Sequence, residues 1–350
     1  MNATQKTNVL DKVVLFHLDV HLWSGRKKLR PEDVRGQVPP KKLASLGSKR
    51  IVDPAATKQF ETLKRKAERL LFSNGIRLMG AYAIPIDKAD FVVKELAELK
   101  AEFDEKFKIF IDNYSFAVEN WIKEQEEWAE IIRSSITPVQ EIQKRVSFHW
   151  QIYHLRPTGN SSLDSGLNDQ VGSLGNKLIK EIVSEANKIF DGQFLVKPKV
   201  TVKTTGSLKA LHKKLASLSF LDTRANAIGN RLQQVLDELP EAGDLEGEML
   251  AKVFGMLIIL SDEERFMTIG KQIADGTDLD DETLIDISGK PVQRFPENSA
   301  PEIEVAPATS KQLTVDLIDD DESEEEGEDD SDVAEPETSP KSVSMPAVWF

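Results

Sequence analysis

Residues 88–122 read KADFVVKELAELKAEFDEKFKIFIDNYSFAVENWI, and the spacing of their apolar side chains predicts one long amphipathic helix. Val92, Leu96, Leu99, Phe103, Phe107, Phe110, Tyr114, Val118 and Trp121 recur in eight steps over 29 residues. That is ~3.6 residues per step, the period of a straight helix rather than the ~3.5 of a left-handed supercoil. Lys94, Glu95, Glu98, Lys100, Glu102, Asp104, Glu105 and Lys106 fill the solvated side. Asp87, just after Pro85, is the expected N-cap. At ~1.5 Å per residue the rod is about 50 Å long, roughly the span of a domain. It is a spine for packing and carries no chemistry of its own.

Around it lie 350 residues, 40% hydrophobic, enough for one large domain or two ordinary ones. There is no cysteine, which removes disulfides and thiolate metal sites and suits a reducing cytoplasm. The first residues, MNATQKTNVLDK, lack the basic start and apolar stretch of a secretory signal. The longest uncharged apolar run, Val253 to Leu260, falls far short of the ~20 residues that span a bilayer. A soluble cytoplasmic protein with no membrane partner is expected. The net charge of −14 is unevenly spread: residues 296–350 hold 17 of the 59 acidic side chains but only Lys311 and Lys341 of the 45 basic ones. The rest of the chain is close to neutral.

Residues 12–23 (KVVLFHLDVHLW) alternate as a strand does. Val14, Phe16, Leu18, Val20 and Leu22 face one way, and His17, Asp19 and His21 the other. Asp53-Pro54 opens a helix to about Phe72, which Asn74-Gly75 stops. Residues 76–84 (IRLMGAYAI) read as a second strand. Thr137-Pro138 with Gln140 reads as a capping box, and residues 146–155 (VSFHWQIYHL) as a third strand. Residues 156–172 have the Gly, Ser, Asn and Pro content of a loop between two lobes. Helices are expected at about 173–190, 207–217, 223–239, 246–260 and 262–274, with Ser261 and Glu264 as a second capping box, and an edge strand at 194–204. The predicted fold is mainly α with a small mixed β-sheet, an α+β architecture around a long central helix. Residues 1–160 form a strand-helix-strand plus long-helix lobe, 173–275 a mainly helical lobe, and 291–350 a disordered acidic tail.

Signatures of catalysis are absent. GSLGNK (172–177) has the wrong spacing for a phosphate loop, and there is no H-E-x-x-H or G-x-S-x-G. No cofactor is expected. His17, Asp19 and His21 share a strand face and are weak metal candidates, since three ligands on a straight strand span ~14 Å; a packed polar face is the simpler expectation. His149 and His154 lie on opposite faces of their strand. The acidic stretch 275–286 misplaces its glycine for a calcium loop and is expected to be solvated.

Two features point to binding. Basic side chains cluster at Arg26, Lys27, Lys28 and Arg30, with Lys49 and Arg50 following, and again at Lys197, Lys199, Lys203, Lys213 and Lys214. Such patches neutralise phosphates and release counterions, and Trp23 and Phe220 lie near enough in sequence to stack on bases. The other feature is the tail. Asp319, Asp320, Asp321, Glu324, Glu325 and Glu326 belong to an almost continuous acidic run that gives way to SMPAVWF, with Trp349 and Phe350 last. An acidic run alone is usually a solubilising brush; an apolar aromatic end in water invites docking. This tail resembles those of bacterial and phage single-stranded-DNA-binding proteins, which implies that the aromatic end enters a basic-rimmed pocket on a partner.

The blocks LDVHLWSGRKKLRPEDV (18–34), LASLGSKRIVDP (43–54), LKRKAERLL (63–71), GIRLMGAYAIP (75–85) and SLSFLDTR (217–224) resemble a family of uncharacterised bacterial and phage proteins carried on integrative elements and plasmids. The resemblance covers most of 10–270 but not the tail, and the family has no assigned activity. Its members often occur beside AAA+ ATPases and von Willebrand-type proteins resembling cobalt-chelatase subunits, and sometimes beside recombination genes. It therefore implies an accessory role on a mobile element. The first expectation is a non-enzymatic interaction protein whose tail recruits an ATPase assembly or a recombination or replication protein. The second is a nucleic-acid-binding protein, for single-stranded DNA, whose basic patches its own tail modulates. The third is a metal-dependent enzyme built on His17, Asp19 and His21.

Overall fold

The computed structural model describes residues 9–34, 38–40, 42–195 and 200–289. In chain order these form β1 (Val13–His21), β2 (Arg26–Lys28), β3 (Ser48–Arg50), α1 (Pro54–Asn74), β4 (Ile76–Leu78), β5 (Ala81–Pro85) and the spine α2 (Ile86–Glu124). Then follow α3 (Ala129–Arg133), α4 (Val139–Arg145), β6 (Ser147–Tyr153), α5 (Ser165–Gly172), α6 (Leu174–Ile189), α7 (Gly206–Ser217), α8 (Thr223–Asp237), α9 (Gly247–Leu260), α10 (Glu263–Ala274) and α11 (Asp281–Gly289). The described residues fall within one compact unit. The fold is mainly helical with two small sheets.

The larger sheet has the order β4-β5-β1-β6, and all its ladders are antiparallel rather than mixed. Period-2 alternation sends β1 into two cores at once. Val14, Phe16 and Val20 pack with α1 and α2, joined by Tyr82, Ile84 and Phe148. Val13 and Leu15, with Ile76, Leu78, Ala81 and Ala83, pack against the helices from α6 onward. The sheet is thus a wall with a core on each side.

The spine runs 39 residues. Seven of its side chains are buried: Val92, Leu96, Phe103, Phe110, Tyr114, Val118 and Ile122. Leu99, Phe107 and Trp121 flank them, half-buried. Phe60 of α1 meets Phe103, Phe107 and Phe110 edge-on at 5.3, 6.0 and 5.7 Å, the arrangement that ring quadrupoles favour. The N-cap is Pro85, with Asp87 one position inside the first turn, where its charge still meets the helix dipole. Asp53 caps α1 as its sequence suggests, accepting from the Ala55 N–H at 2.8 Å.

Several local expectations give way. The strand at 76–84 is a hairpin, β4 and β5, turned by Met79 and Gly80 with φ of 51° and 79°. Asn-Gly, the usual pair for such a turn, is missing, which hides it from sequence. Residues 165–172 are helical rather than loop, with Leu167 and Val171 drawn into the helical core. Among the described residues of 194–204 no strand is formed. Phe190–Leu195 is a π-helical turn, Val202–Thr205 a 3-10 turn, and only Thr201 bridges to Asp244; residues 196–199 lie outside the described residues. Neither capping box closes: α4 has no side-chain cap, and α10 is capped by Asp262, one residue after Ser261.

The acidic stretch 275–286 is not a solvated loop, because its second half is α11. Asp281 accepts from both Arg231 and Lys252, and Lys252 also reaches Glu238 and Glu248 at 3.0 Å each. The Lys252 ammonium and then the Arg231 guanidinium hold the Asp281 carboxyl below its ordinary range.

Candidate nucleic-acid interface

β2 and β3 make a two-stranded antiparallel ribbon in which Arg26 stands opposite Arg50, Lys27 opposite Lys49 and Lys28 opposite Ser48. Like charges directly across a ladder repel, and for Lys49 an anion offsets the repulsion. Asp33, buried in the 3-10 turn Pro31–Asp33, bonds the Lys49 ammonium and accepts the Arg30 N–H at 2.8 Å. Those contacts, the Lys49 bond first, hold the Asp33 carboxyl below the ordinary 3.8. Lys49 is thereby a structural cation. Arg26, Lys28 and Arg30 remain exposed and Lys27 half-exposed; Arg30 also touches the exposed Glu32 at 3.3 Å, a pair of little energetic weight.

The core beneath fixes the ribbon. Ile51 and Val52, which follow β3, are buried at 0% and 2% exposure. The Ile51 N–H donates to the Gly25 carbonyl at 2.9 Å, and Trp121 Nε1 of the spine donates to the Arg50 carbonyl at 3.3 Å. Gly25 turns β1 into β2 at φ +70°, and a Cβ there would lie 2.9 Å from Val52 Cγ1; both facts call for glycine. Trp23, expected to stack on bases, is instead core: it is 8% exposed and meets Tyr114 edge-on at 5.7 Å. Phe220 is half-buried in the helical core with Lys12 over its ring.

The second basic cluster is dispersed. Lys203 and Lys213 are exposed, Lys213 lying over the Phe91 ring at 5.5 Å. Lys214 is buried, bonded to Glu181 at 2.8 Å and to the Phe72 carbonyl at 2.7 Å. It ties α7 and α6 to the end of α1 and presents nothing to a ligand. Lys197 and Lys199 lie outside the described residues, as do Asp319, Asp320, Asp321, Glu324, Glu325, Glu326, Trp349 and Phe350.

His17, Asp19 and His21 share one sheet face, but that face is open rather than packed. His21 Nε2 meets Asp19 Oδ1 at 2.8 Å, and Asp19 stands opposite His149 of β6. Among the described residues no group of three His, Asp or Glu side chains is placed to hold a metal ion. His154 lies just past the end of β6. No helix among the described residues is long and apolar enough to cross a membrane.

The fold and its ribbon define a helical protein with a compact basic surface element. The chain belongs to DUF3150, a protein family of unknown function whose model it matches over residues 10–262. No curated protein and no solved structure matches the chain.

Proposed function

We propose that the protein is a non-enzymatic accessory protein that holds the phosphate backbone of a nucleic acid on the β2–β3 ribbon. The observation that carries this reading is the run of exposed cations Arg26, Lys28 and Arg30 on and beside a ribbon whose register also sets Lys27 opposite Lys49. Exposed cations held this close together can neutralise phosphates laid across them and release counterions. The ribbon is anchored through Ile51, Val52 and Trp121, so its cations are pre-positioned and little ordering entropy is lost on binding. Single strands are the better-fitting class, since phosphate contacts on so short a ribbon follow a flexible backbone easily.

Full-length protein and a chain ending at residue 295 are titrated side by side against a fluorescent single-stranded oligonucleotide over a range of salt. Binding that tightens without the acidic tail supports the reading, as does a log–log salt slope that falls by about 1.4 when Arg26 and Lys28 are both changed to Gln. A truncated chain that ignores DNA at low salt refutes it.

A second reading rests on a separate observation, the SMPAVWF segment that follows the acidic run. Its apolar aromatic side chains give an anchor, and the acidic run gives long-range attraction to a basic rim. On that reading the tail recruits an ATPase assembly or a DNA-processing enzyme of a mobile element. Removing the last six residues then abolishes co-purification of that partner while the melting temperature stays unchanged; unaltered partners end the idea.

A further inference from the structure

β6 is the last strand of its sheet, and it pairs with β1 along its whole length, from Ser147↔His21 to Tyr153↔Leu15. Among the described residues no strand lies on its other side. Its sequence, SFHWQIY, contains no charge and no proline. Exposed edges are normally blunted by charges, proline or bulges, because their free N–H and C=O groups template pairing with any extended chain. This edge carries none of those devices. It is also chemically graded. Trp150 and Ile152 continue the apolar face past buried Phe148, with Ile152 44% exposed. Ser147, His149, Gln151 and Tyr153 form the polar face. Exposed Lys144 and Arg145 precede the strand, and exposed His154 and Arg156 follow it. Among the described residues none of the three permanent cations forms an ion pair.

We propose that the free edge of β6 receives an extended strand of a partner protein, with alternating apolar and polar side chains and acidic residues at its ends. Charge decides the occupant. Pairing of β6 with a second β6, parallel or antiparallel, brings one basic end against another. An acid-flanked strand meets opposite charge at both ends, its backbone completes the ladder, and its apolar side chains cover Trp150 and Ile152. The proposal is independent of the nucleic-acid reading, which concerns the ribbon.

The test uses the full chain and a fluorescent, end-capped peptide of seven alternating valines and threonines with two glutamates at each end. Anisotropy should show saturable binding, and amide exchange should slow within 147–153. Affinity should fall at least tenfold when alternate core amides of the peptide are N-methylated. The same loss is expected with Ile152→Lys, and with Arg145→Glu combined with Arg156→Glu. The charge-reversal positions are exposed, so this variant keeps the test decisive should Ile152→Lys fail to fold. No binding of the parent peptide, or equal binding of the N-methylated one, overturns the proposal. So does a dimer in sedimentation equilibrium that Ile152→Lys dissociates, which would assign the edge to a second copy.

Discussion

Asp33 shows how one side chain organises a surface. Its carboxylate is the internal counterion of the ribbon, and its lowered pKa records the Lys49 bond first and the Arg30 N–H second. A carboxyl that titrates lower when folded contributes stability that is fully present above its unfolded value, near 3.8, and that disappears as pH falls through the folded value. Asp33→Asn should therefore lower stability by about 1–2 kcal/mol at neutral pH. The gap to the unaltered protein should close as pH falls from about 5 toward about 2. Thermal melts across that range check the sign; a gap that persists in acid would mean that the carboxylate is not the stabilising form. Lys214 is the opposite kind of cation. Burial lowers its pKa, Glu181 works against that shift, and the outcome is a structural tie rather than a ligand site. Nothing in the run Lys209, Lys213, Lys214 distinguishes the inward lysine from its outward neighbours by type alone. The helical period does, because Lys214 falls in line with buried Leu211, Leu215 and Leu218, whereas Lys213 does not.

Long elements were legible because their period repeats. The spine, α1 and the helices α6 to α10 stand within one or two residues of the positions that their apolar spacing suggests, and β1 alternates as read. Short elements were not. β2 and β3 have three residues each, too few for a period, so the facing of Lys27 by Lys49 could not be foreseen. The Met79-Gly80 turn lacks the residues that usually announce it, and α11 hides in an acidic segment whose helix is held by Arg231 and Lys252 from other elements. That last helix also depends on a glycine. A Cβ at Gly255 would lie 2.3 Å from the Leu284 carbonyl oxygen, a backbone atom that cannot swing aside. Gly255→Ala should force α11 away from α9 at a cost of about 2–3 kcal/mol. Amide exchange in 281–289 should accelerate while exchange in α2 stays slow; unchanged protection of α11 would show that the helices have room to spare.

At the scale of the molecule, the two outward-facing resources of the described body belong to different elements. The ribbon follows the carboxyl end of β1 and is seated on the core shared by α1 and α2. The open edge belongs to β6, on the far side of β1 from β5. Composition showed that the charge of this chain is unevenly distributed, but not that exposed cations flank an uncharged edge strand, because that requires knowing that β6 is last in its sheet.

The two-sided wall has a further effect. A one-residue slip of an ordinary half-solvated strand turns its greasy side outward, and water penalises the error. In the first half of β1 both sides are occupied, so the same slip would exchange tenants instead: Val14 and Phe16 would be thrust into the space shaped for Val13 and Leu15, and the reverse. Mismatched volumes on both flanks, rather than wetting, would then reject the wrong alignment, which makes the shapes of these four neighbours the lock that sets where every other strand begins.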